Sequence, residues 1–297
     1  MKILLTGATG FLGSHLAKAL VKNNHQVAIT KRSFSDPWRI AAITSHVTSY
    51  DLDAGQLSRA FEDFGGFDYI IHTATQYDRN GESYLSLVES NLLFPLKLLE
   101  LVSAYPQCTF INTDSFISKG NMHYRYLIGY ALTKRQFVEW GKQYSARGKI
   151  RFINVKLEHI YGPLDHDNKF IPSMIRSCLN NIPELRLTPG QQIRDFIYID
   201  DVVQAYEAVM RSASYDSSCY REFELGTGQP IKIRQAVEMI HRLTGSQSIL
   251  TFGALTYRDG EIMESTANNL ELRKLGWSNQ TTLEDGLSKT ISTFRHM

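Results

Sequence analysis

The fold is decided by the stretch Lys2-Ile-Leu-Leu-Thr-Gly7-Ala-Thr-Gly10-Phe-Leu-Gly13-Ser-His-Leu16 near the N-terminus. A short apolar run that suits a buried strand is followed by a turn with three glycines and then by apolar residues at helical spacing. In a strand–turn–helix unit that binds a dinucleotide, the first glycine permits a tight turn, the second lets the backbone approach a pyrophosphate, and the third lets the helix pack closely on the strand. The N–H groups at the start of the helix attract phosphates. The stretch therefore predicts a dinucleotide-binding site.

Strand-like and helix-like segments alternate through the first half of the chain. Apolar runs predict strands over 27–30, 47–50, 69–73, 109–112 and 151–155. Helical periodicity predicts helices over 84–104, 130–147, 232–244 and 282–295, and a further strand and helix over 194–199 and 200–211. Repeated strand–helix units of this length predict an α/β fold, a Rossmann-like doubly wound parallel sheet with helices on both faces.

The length, charge and cysteine content agree with those of a cytosolic enzyme. A chain of 297 residues with a net charge of +2 gives no reason to expect nucleic acid or an anionic membrane as a partner. The three cysteines have neither metal nor redox spacing, so we expect reduced thiols and no metal site. Because a strand begins at residue 2 and no apolar run reaches the length of a membrane span, we expect no signal peptide and no membrane segment.

The glycine spacing separates this chain from ordinary dehydrogenases. With Thr-Gly-Ala-Thr-Gly-Phe-Leu-Gly, the Gly-x-x-Gly-x-x-Gly stretch resembles the extended short-chain dehydrogenase/reductase family, in the branch that acts on nucleotide sugars. The resemblance implies a dinucleotide-binding domain over 1–155, to which 193–216 return, and a smaller, C-terminal substrate lobe formed by 156–192 and 217–297. It also implies a cytoplasmic enzyme and a homodimer formed through the helices that follow the fourth and fifth strands.

The residues at the end of the second strand indicate which cofactor the protein binds. NAD sites commonly place a carboxylate there for the ribose 2′-hydroxyl, whereas NADP sites supply cations for the 2′-phosphate. Here the strand continues into Lys31-Arg32-Ser33, and the acid that follows nearby, Asp36, lies several residues further on. Arg32 can bind a phosphate with two nitrogens and Ser33 can donate a hydrogen bond. The sequence therefore favours NADPH (NADP+), against the alternative of a solvated basic loop.

The candidate catalytic pair is Tyr130-Ala-Leu-Thr-Lys134. Side chains four residues apart share one face of a helix, and a lysine ammonium favours the phenolate form of a neighbouring tyrosine. The pair occurs after the fifth strand, where the family carries its Tyr-x-x-x-Lys motif. Thr113, at the end of that strand, matches the family's Ser/Thr position, which hydrogen-bonds a substrate oxygen.

The triplet Thr113-Asp114-Ser115 bears on the type of reaction. Nucleotide-sugar 4,6-dehydratases of the family typically have Thr-Asp-Glu here, and the acid and base support elimination of water. Because Ser115 stands in place of the glutamate, the resemblance favours reduction of a carbonyl group. Asp114 either assists the reaction or serves the structure.

Further matches to the family indicate the remaining cofactor and substrate residues. The segment that contains His72 and Ala74 resembles the wall of the nicotinamide site, and Asp51-Leu52 resembles the adenine contact. Carried over in this way, the cofactor residues are Gly7, Thr9, Gly10, Phe11, Leu12, Gly13, Lys31, Arg32, Ser33, Asp51, Leu52, Thr73, Ala74, Tyr130 and Lys134. The substrate residues are Asp114, Ser115, His159, Arg194 and Arg258, of which the two arginines match family positions that bind the diphosphate.

The function implied by these matches is NADPH-dependent reduction of the C4 keto group of a nucleotide-linked 4-keto-6-deoxyhexose. Within the branch, the chain resembles most the reductases of CDP-linked 4-keto-3,6-dideoxy sugars in O-antigen (lipopolysaccharide) assembly. Two alternatives stay open: an NAD-dependent nucleotide-sugar epimerase, and a non-catalytic NADP-sensing protein of the same fold. The basic tip at Lys31-Arg32 disfavours the first, and the intact Tyr130/Lys134 pair disfavours the second.

Overall fold

The computed structural model describes residues 1–77, 81–119, 126–213 and 219–295. The chain divides into two compact units. Unit 1 comprises 1–120, 127–156 and 207–223, and unit 2 comprises 121–126, 157–206 and 224–297. The sequence-based division returned 193–216 to the first domain, whereas here the returning segment is 207–223.

Unit 1 is built on a parallel sheet. Its strands, in chain order, are β1 (Lys2–Thr6), β2 (Gln26–Lys31), β3 (Val47–Asp51), β4 (Tyr69–His72), β5 (Thr109–Ser115), β6 (Arg151–Leu157) and β11 (Tyr220–Leu225). Within the described part of the chain they form a seven-stranded sheet in the order β11-β6-β5-β4-β1-β2-β3. Strands β2 and β3 lie on one side of β1, while β4 and β5 lie on the other. The strand order therefore reverses between β1 and β4, and ligands of open α/β sheets bind at the carboxyl ends of such strands.

Helices cover the sheet of unit 1. They are α1 (Phe11–Lys22), α2 (Leu57–Phe64), α3 (Tyr84–Val88), α4 (Phe94–Val102) and α5 (Ile128–Ala146), with 3₁₀ segments at Trp38–His46 and Phe116–Lys119. The side chains that pack between these layers are apolar and fully buried, as at Leu4, Ile70, Phe110 and Phe152. In the four described ranges, no helix is both long enough and apolar enough to span a membrane.

The predicted helix over 84–104 is interrupted in the structure. Between α3 and α4, Glu89–Leu93 form a π-helical turn. Pro95 follows at the start of α4 and has no N–H to donate, so a regular turn would leave the Asn91 carbonyl without its donor. The Asn91 side chain, which is buried, binds the backbone N–H and carbonyl groups of Gln76. The interruption therefore orients an amide that holds the loop after β4.

Unit 2 consists of short strands and helices. Its elements are β7 (His159–Tyr161), α6 (Phe170–Leu179), β8 (Glu184–Leu187), β9 (Ile193–Arg194), β10 (Phe196–Tyr198), the first part of α7 (Ile199–Ala213), β12 (Ile231–Lys232), α8 (Ile233–Thr244), β13 (Ile249–Phe252), α9 (Leu270–Lys274) and α10 (Leu283–Arg295). The strands pair in twos, as β10 with β7, β12 with β9 and β13 with β8.

A buried carboxylate holds the loops of unit 2 together. Asp195, fully buried between β9 and β10, accepts hydrogen bonds from the backbone N–H groups of Thr227, Gly228 and Ala267. The Thr227 hydroxyl also donates to it, at 2.6 Å. Hydrogen bonds to a buried charge are stronger than those between neutral groups, so this one side chain fixes two chain segments that are distant in sequence.

The buried His72, at the end of β4, should make the folded protein less stable in acid. Its ring is buried and hydrogen-bonded to the Thr6 hydroxyl at 2.8 Å, and burial, assisted by Lys134, lowers the pKa of His72 well below its ordinary value. The unfolded chain therefore binds a proton that the folded chain excludes, and the free energy of unfolding falls as the pH drops below about 6.5, by about 1.4 kcal/mol per pH unit for one proton.

Urea unfolding near pH 7.5 and near pH 5.5 measures this effect. We expect His72→Gln to reduce the difference in stability between the two pH values, because glutamine has no titrating ring. The control is His46→Gln, at an exposed histidine, which should leave the difference unchanged. An equal pH dependence in the wild type and in His72→Gln would contradict the prediction.

Candidate active site

The glycine-rich turn lies at the point where the strand order of the sheet reverses. Gly7 has φ +72°, and a Cβ atom there would lie 2.6 Å from the backbone nitrogen of Ala74. A Cβ atom on Gly13 would overlap the Gly7 carbonyl group, and the Gly10 N–H donates to that same carbonyl at 2.9 Å. The turn is therefore too narrow for side chains at Gly7 and Gly13. It forms a backbone cradle at the start of α1, and a cradle of this kind fits a pyrophosphate.

The end of β4 closes one side of this turn. The Thr73 hydroxyl donates to the Thr6 carbonyl at 2.7 Å, and the Ala74 N–H donates to the Thr6 hydroxyl at 3.2 Å. Phe11 and Leu12, the first residues of α1, are buried and anchor the helix start. The structure thus brings the predicted residues of β1, α1 and β4 together around the turn.

Carboxylates surround the basic tip of β2. Arg32 Nε donates to Asp53 at 2.6 Å, the Ser33 hydroxyl donates to Asp51 at 2.8 Å, and Lys31 Nζ lies 3.6 Å from Asp51. The hydrogen bond from Ser33 is the largest of the effects that lower the pKa of Asp51. The parallel pairing of β2 with β3 places Asp51 directly beside Lys31. Sequence reasoning assigned Asp51 to the adenine contact but gave no role to Asp53, which follows β3 and reaches Arg32 through the pairing of β3 with β2.

A backbone hydrogen bond also joins the residue after β3 to the end of β2. The N–H of Leu52, which the sequence assigns to the adenine, donates to the Lys31 carbonyl at 2.9 Å. The residues assigned to the adenosine end of the cofactor are therefore neighbours at one corner of the sheet.

Arg39 is a further cation near the turn, and sequence reasoning missed it. Its side chain lies over the Trp38 ring at 4.3 Å, and Nη1 is 3.4 Å from the Thr9 carbonyl. Arg39 is buried, and after desolvation its charge is the second cause of a lowered pKa at Lys18. Nothing in the residue spacing of the 3₁₀ segment distinguishes this arginine from a solvated one.

The three predicted catalytic residues lie together in unit 1. Tyr130 is in the first turn of α5, and Lys134 follows one turn later with Nζ 5.8 Å from the Tyr130 ring centroid. Lys134 Nζ donates to the Thr113 carbonyl at the end of β5, at 2.8 Å. Burial lowers the pKa of Lys134 to about 8. The Tyr77 ring stacks on Tyr130 with centroids 4.9 Å apart, a contact that no sequence motif indicated.

The other two residues of the triplet, Asp114 and Ser115, are held by hydrogen bonds within unit 1. The Ser115 hydroxyl accepts from the Ile117 N–H at 3.4 Å, at the start of the 3₁₀ segment. The Asp114 carboxylate accepts from the Ser118 hydroxyl at 2.8 Å and from the Asn154 amide at 3.1 Å. Both side chains therefore take part in the local structure at the end of β5.

The arginines assigned to the diphosphate lie in unit 2. Arg194 Nη2 donates to Glu261 at 2.7 Å in a largely buried ion pair, and the Arg258 guanidinium lies 4.1 Å from the Tyr126 ring centroid. Because the Glu261 N–H donates to the Arg258 carbonyl, one turn places both arginines in the same region of unit 2. Sequence analysis gave no role to Glu261, which follows Arg258 by three residues.

His159 lies on β7 of the same unit. Its Nδ1 atom is 3.7 Å from the Glu158 carboxylate, and its ring packs edge-on against Phe196 at 5.6 Å. Burial is the largest cause of the lowered pKa of His159. The neutral imidazole is thus part of the packing of β7 against β10.

Comparison with known proteins places the chain in a family. A model of the NAD dependent epimerase/dehydratase family matches residues 3–226. The chain belongs to this family, and it is an enzyme of the extended short-chain dehydrogenase/reductases that modify nucleotide sugars. The family and the Rossmann-like fold expected from the glycine motif are thereby confirmed.

Two relatives and one solved structure are similar to this chain over nearly its whole length. The CDP-abequose synthase of Salmonella muenchen is 38% identical over 292 residues, which cover 98% of this chain and 97% of the relative. The CDP-abequose synthase of Salmonella typhimurium is 37% identical over 97% of both chains. The structure of UDP-glucuronic acid 4-epimerase from Bacillus cereus, in complex with UDP-glucuronic acid and NAD, has a TM-score of 0.86 at 23% identity. It covers 100% of this chain and 99% of its own, and at that identity it shows the fold alone.

Proposed function

We propose that this enzyme reduces the C4 keto group of a CDP-linked 4-keto-3,6-dideoxyhexose with NADPH, in the biosynthesis of O-antigen or another surface polysaccharide. The observation that carries the proposal is the cluster of Thr113, Tyr130 and Lys134 at the end of β5 and the start of α5. The serine in place of the dehydratase glutamate, Ser115, supports reduction. The identity with CDP-abequose synthases supports the CDP-linked substrate.

In the proposed reaction, Tyr130 protonates the carbonyl oxygen as a general acid. The Lys134 ammonium stabilises the phenolate that this step leaves, and the Thr113 hydroxyl orients the carbonyl by a hydrogen bond. NADPH, when bound, supplies the hydride that adds to C4. The backbone cradle of Gly7, Gly10 and Gly13 would hold its pyrophosphate.

The preference for NADPH rests on cations near the adenosine end of the cofactor. Asp53 uses one of the N–H donors of Arg32, and an arginine has five, so the guanidinium keeps donors for a phosphate. Arg39, beside the Thr9 carbonyl, supplies a second positive charge next to the glycine-rich turn. A 2′-phosphate carries the negative charge that these two groups match, whereas a 2′-hydroxyl does not.

We expect NADPH to bind well ahead of NADH, with each of the two arginines contributing. Arg32→Ala and Arg39→Ala should each weaken NADPH about tenfold or more, as the loss of a charge-assisted hydrogen bond does, and should change NADH little. Cofactor fluorescence titration measures both constants, and Arg59→Ala, at an exposed arginine paired with Asp63, is the control. Equal binding of NADH and NADPH by the wild type would contradict this proposal and favour the NAD-dependent epimerase.

The substrate's diphosphate is assigned to unit 2. Arg194 and Arg258 are two cations brought close by the turn at Glu261, and planar guanidinium groups bind phosphate with paired hydrogen bonds. Glu261 would then orient Arg194 in the absence of the substrate. We propose Asp114, Ser115 and His159 as sugar-side positions only through the family resemblance, since the contacts observed for their side chains are with other groups of the protein.

The stoichiometry of the reaction tests the proposed function. With a CDP-4-keto-3,6-dideoxyhexose, we expect one NADPH to be oxidised per sugar, and the product should carry deuterium at C4 when deuterated NADPH is used. An epimerase returns its hydride and a sensor consumes none, so neither shows net oxidation. Turnover of a plain UDP-hexose without added cofactor would favour the epimerase. Preference for a dTDP- or GDP-linked ketosugar would keep the reaction but reject the CDP assignment.

We further propose a cytoplasmic homodimer. Large apolar side chains are partly exposed on the π-helical turn and α5, where Leu93 is 46%, Leu132 40% and Trp140 48% exposed. A second copy packed on these helices would bury them.

A further inference from the structure

One glutamine fixes the loop after β4 to the helical segment that follows it. The Gln76 N–H donates to the Asn91 amide oxygen at 2.8 Å, and the Asn91 amide nitrogen donates to the Gln76 carbonyl at 2.9 Å. The side-chain oxygen of Gln76 accepts from the hydroxyl groups of Ser86 at 3.0 Å and Ser90 at 2.9 Å. Both the backbone and the side chain of Gln76 are therefore held, and the next residue, Tyr77, leaves this point in a defined direction.

The π-helical turn brings the three partners of Gln76 to one side of the helix. Ser86 lies on α3, and Ser90 and Asn91 lie within the turn. With 3.6 residues per turn, Asn91 would lie about 140° around the helix axis from Ser86. A π-helical turn contains more residues, so this angle is smaller and all three side chains reach the same loop residue. Turns of this kind are frequent at functional sites.

The same helical segment also contacts the start of α5. A Cβ atom on Gly129 would lie 2.7 Å from a methyl carbon of Leu87, so α3 packs closely on the residue before Tyr130. The Asn91 amide nitrogen donates to the Thr133 hydroxyl at 3.3 Å. That hydroxyl in turn donates to the Gly129 carbonyl at 2.9 Å. One segment thus holds both the loop after β4 and the first turn of α5.

The rings of Tyr77 and Tyr130 stack between these two held segments. Their centroids are 4.9 Å apart and their planes are inclined at 27°, a stacked arrangement that aromatic pairs favour. Tyr130 is buried, whereas Tyr77 is partly exposed. The Tyr77 ring therefore covers one face of the Tyr130 ring and excludes the orientations in which the Tyr130 phenol would turn toward it.

We propose that Tyr77 is a positioning residue for Tyr130: its ring, carried by the loop that Gln76 ties to the π-helical turn, holds the Tyr130 phenol in one orientation for proton transfer. The proposal rests on the proposed function only in that Tyr130 is taken as the proton donor. Tyr77 needs no contact with the substrate for this task, and it uses the face of its ring rather than its hydroxyl. Because an error of about 1 Å in the position of a reacting group can cost about a hundredfold in rate, such a support matters for turnover.

Two substitutions at Tyr77 separate the effect of the ring from that of the hydroxyl. Tyr77→Phe keeps the stacked ring, so we expect its kcat for the ketosugar to stay near that of the wild type. Tyr77→Leu removes the ring, and kcat should fall about tenfold to a hundredfold, because the phenol then adopts several orientations. The KM for NADPH should change little in both variants, since the glycine-rich turn is untouched. Oxidation of NADPH, followed by its absorbance, measures both constants.

NMR of the Tyr130 ring follows its orientation without any substrate. Tyrosines are labelled with ¹³C in the ring, and the Tyr130 signal is identified by its loss in Tyr130→Phe. We expect a single narrow signal in the wild type and in Tyr77→Phe, and a broadened or divided signal in Tyr77→Leu. Gln76→Leu releases the two serine hydroxyls but keeps the Tyr77 ring, so it should broaden the signal and lower kcat by less.

The matched control is Phe64→Leu. Phe64 stacks on Phe67 with centroids 4.9 Å apart and planes inclined at 29°, so this substitution removes a partly exposed ring with nearly the same stacking geometry. The Phe64 carbonyl accepts from Lys2 Nζ, which places it beside the start of β1, at the other end of the strands from the site. Phe64→Leu should leave kcat and the Tyr130 signal unchanged.

The outcomes separate this proposal from the proposed function. With an active wild type, the proposal is overturned if Tyr77→Leu and Gln76→Leu both leave the signal and kcat unchanged, or if only one of the two readouts responds. An equal loss of turnover in Tyr77→Phe and Tyr77→Leu would also overturn it, because the hydroxyl would then be the acting group. A broadened signal in Tyr77→Leu, in a protein whose wild type reduces no ketosugar, would uphold the hold on the ring and reject the proposed function.

Discussion

Tyr130→Phe is expected to lower turnover by about 10²–10⁴-fold, the usual contribution of a general acid, and to leave NADPH binding nearly intact. The substitution removes one oxygen atom and keeps the ring, so the stacking on Tyr77 and the position of α5 are preserved. The effect should therefore fall on kcat. Single-turnover oxidation of NADPH, followed by its absorbance, separates the reaction step from cofactor binding.

The matched control for this prediction is Tyr144→Phe, on the same helix. Tyr144 is partly buried and packs against the core, and its hydroxyl has no place in the proposed reaction. We expect its turnover to stay near that of the wild type. If Tyr130→Phe kept most of its activity, another group would have to be the proton donor.

Gly13→Ala is expected to abolish tight cofactor binding and to destabilise the fold. The added methyl group would overlap the Gly7 carbonyl, which is backbone and cannot rotate away, so either α1 or the turn must move. Overpacking of this kind costs about 1–3 kcal/mol in the free energy of unfolding, and the displaced turn no longer fits a pyrophosphate. Thermal unfolding and NADPH titration measure the two effects.

Gly10→Ala separates the loss of cofactor binding from the loss of stability. A Cβ atom at Gly10 would lie 3.2 Å from the Gly7 carbonyl oxygen, a tight contact that a small shift relieves. It should therefore keep most of the stability while weakening NADPH binding, because the second glycine of such a turn lets the backbone approach the pyrophosphate closely. Unchanged stability and unchanged cofactor binding in Gly13→Ala would show that the turn is not the cofactor cradle.

The sequence predicted those parts of the site that depend on local pattern. The glycine spacing, the alternation of strands with helices and the Tyr130/Lys134 pair are all patterns within one strand–helix unit, and the structure contains each of them. The helix over 84–104 was right in extent to within two residues, but the π-helical turn was missed, because one proline does not reveal how its neighbours rearrange.

The contacts that were missed join residues far apart in the chain. Asp53 reaches Arg32 only because β3 pairs with β2 in a particular register, and Glu261 reaches Arg194 across a long stretch of unit 2. The placement of Arg39 near Thr9 depends on how the 3₁₀ segment packs on α1. Such contacts are set by tertiary packing, so a single sequence does not contain them in readable form.

The hydrogen bonds that Asp195 accepts from two segments of unit 2 should couple the motions of those segments. The amide hydrogens of Thr227, Gly228 and Ala267 are all bonded to one carboxylate, so none of them can open to solvent alone without weakening the hold on the others. Their exchange with solvent should be governed by a shared opening event. The loops of unit 2 then behave as one cooperative element on the slow timescale of hydrogen exchange, even though the two strands that flank Asp195 are only two and three residues long.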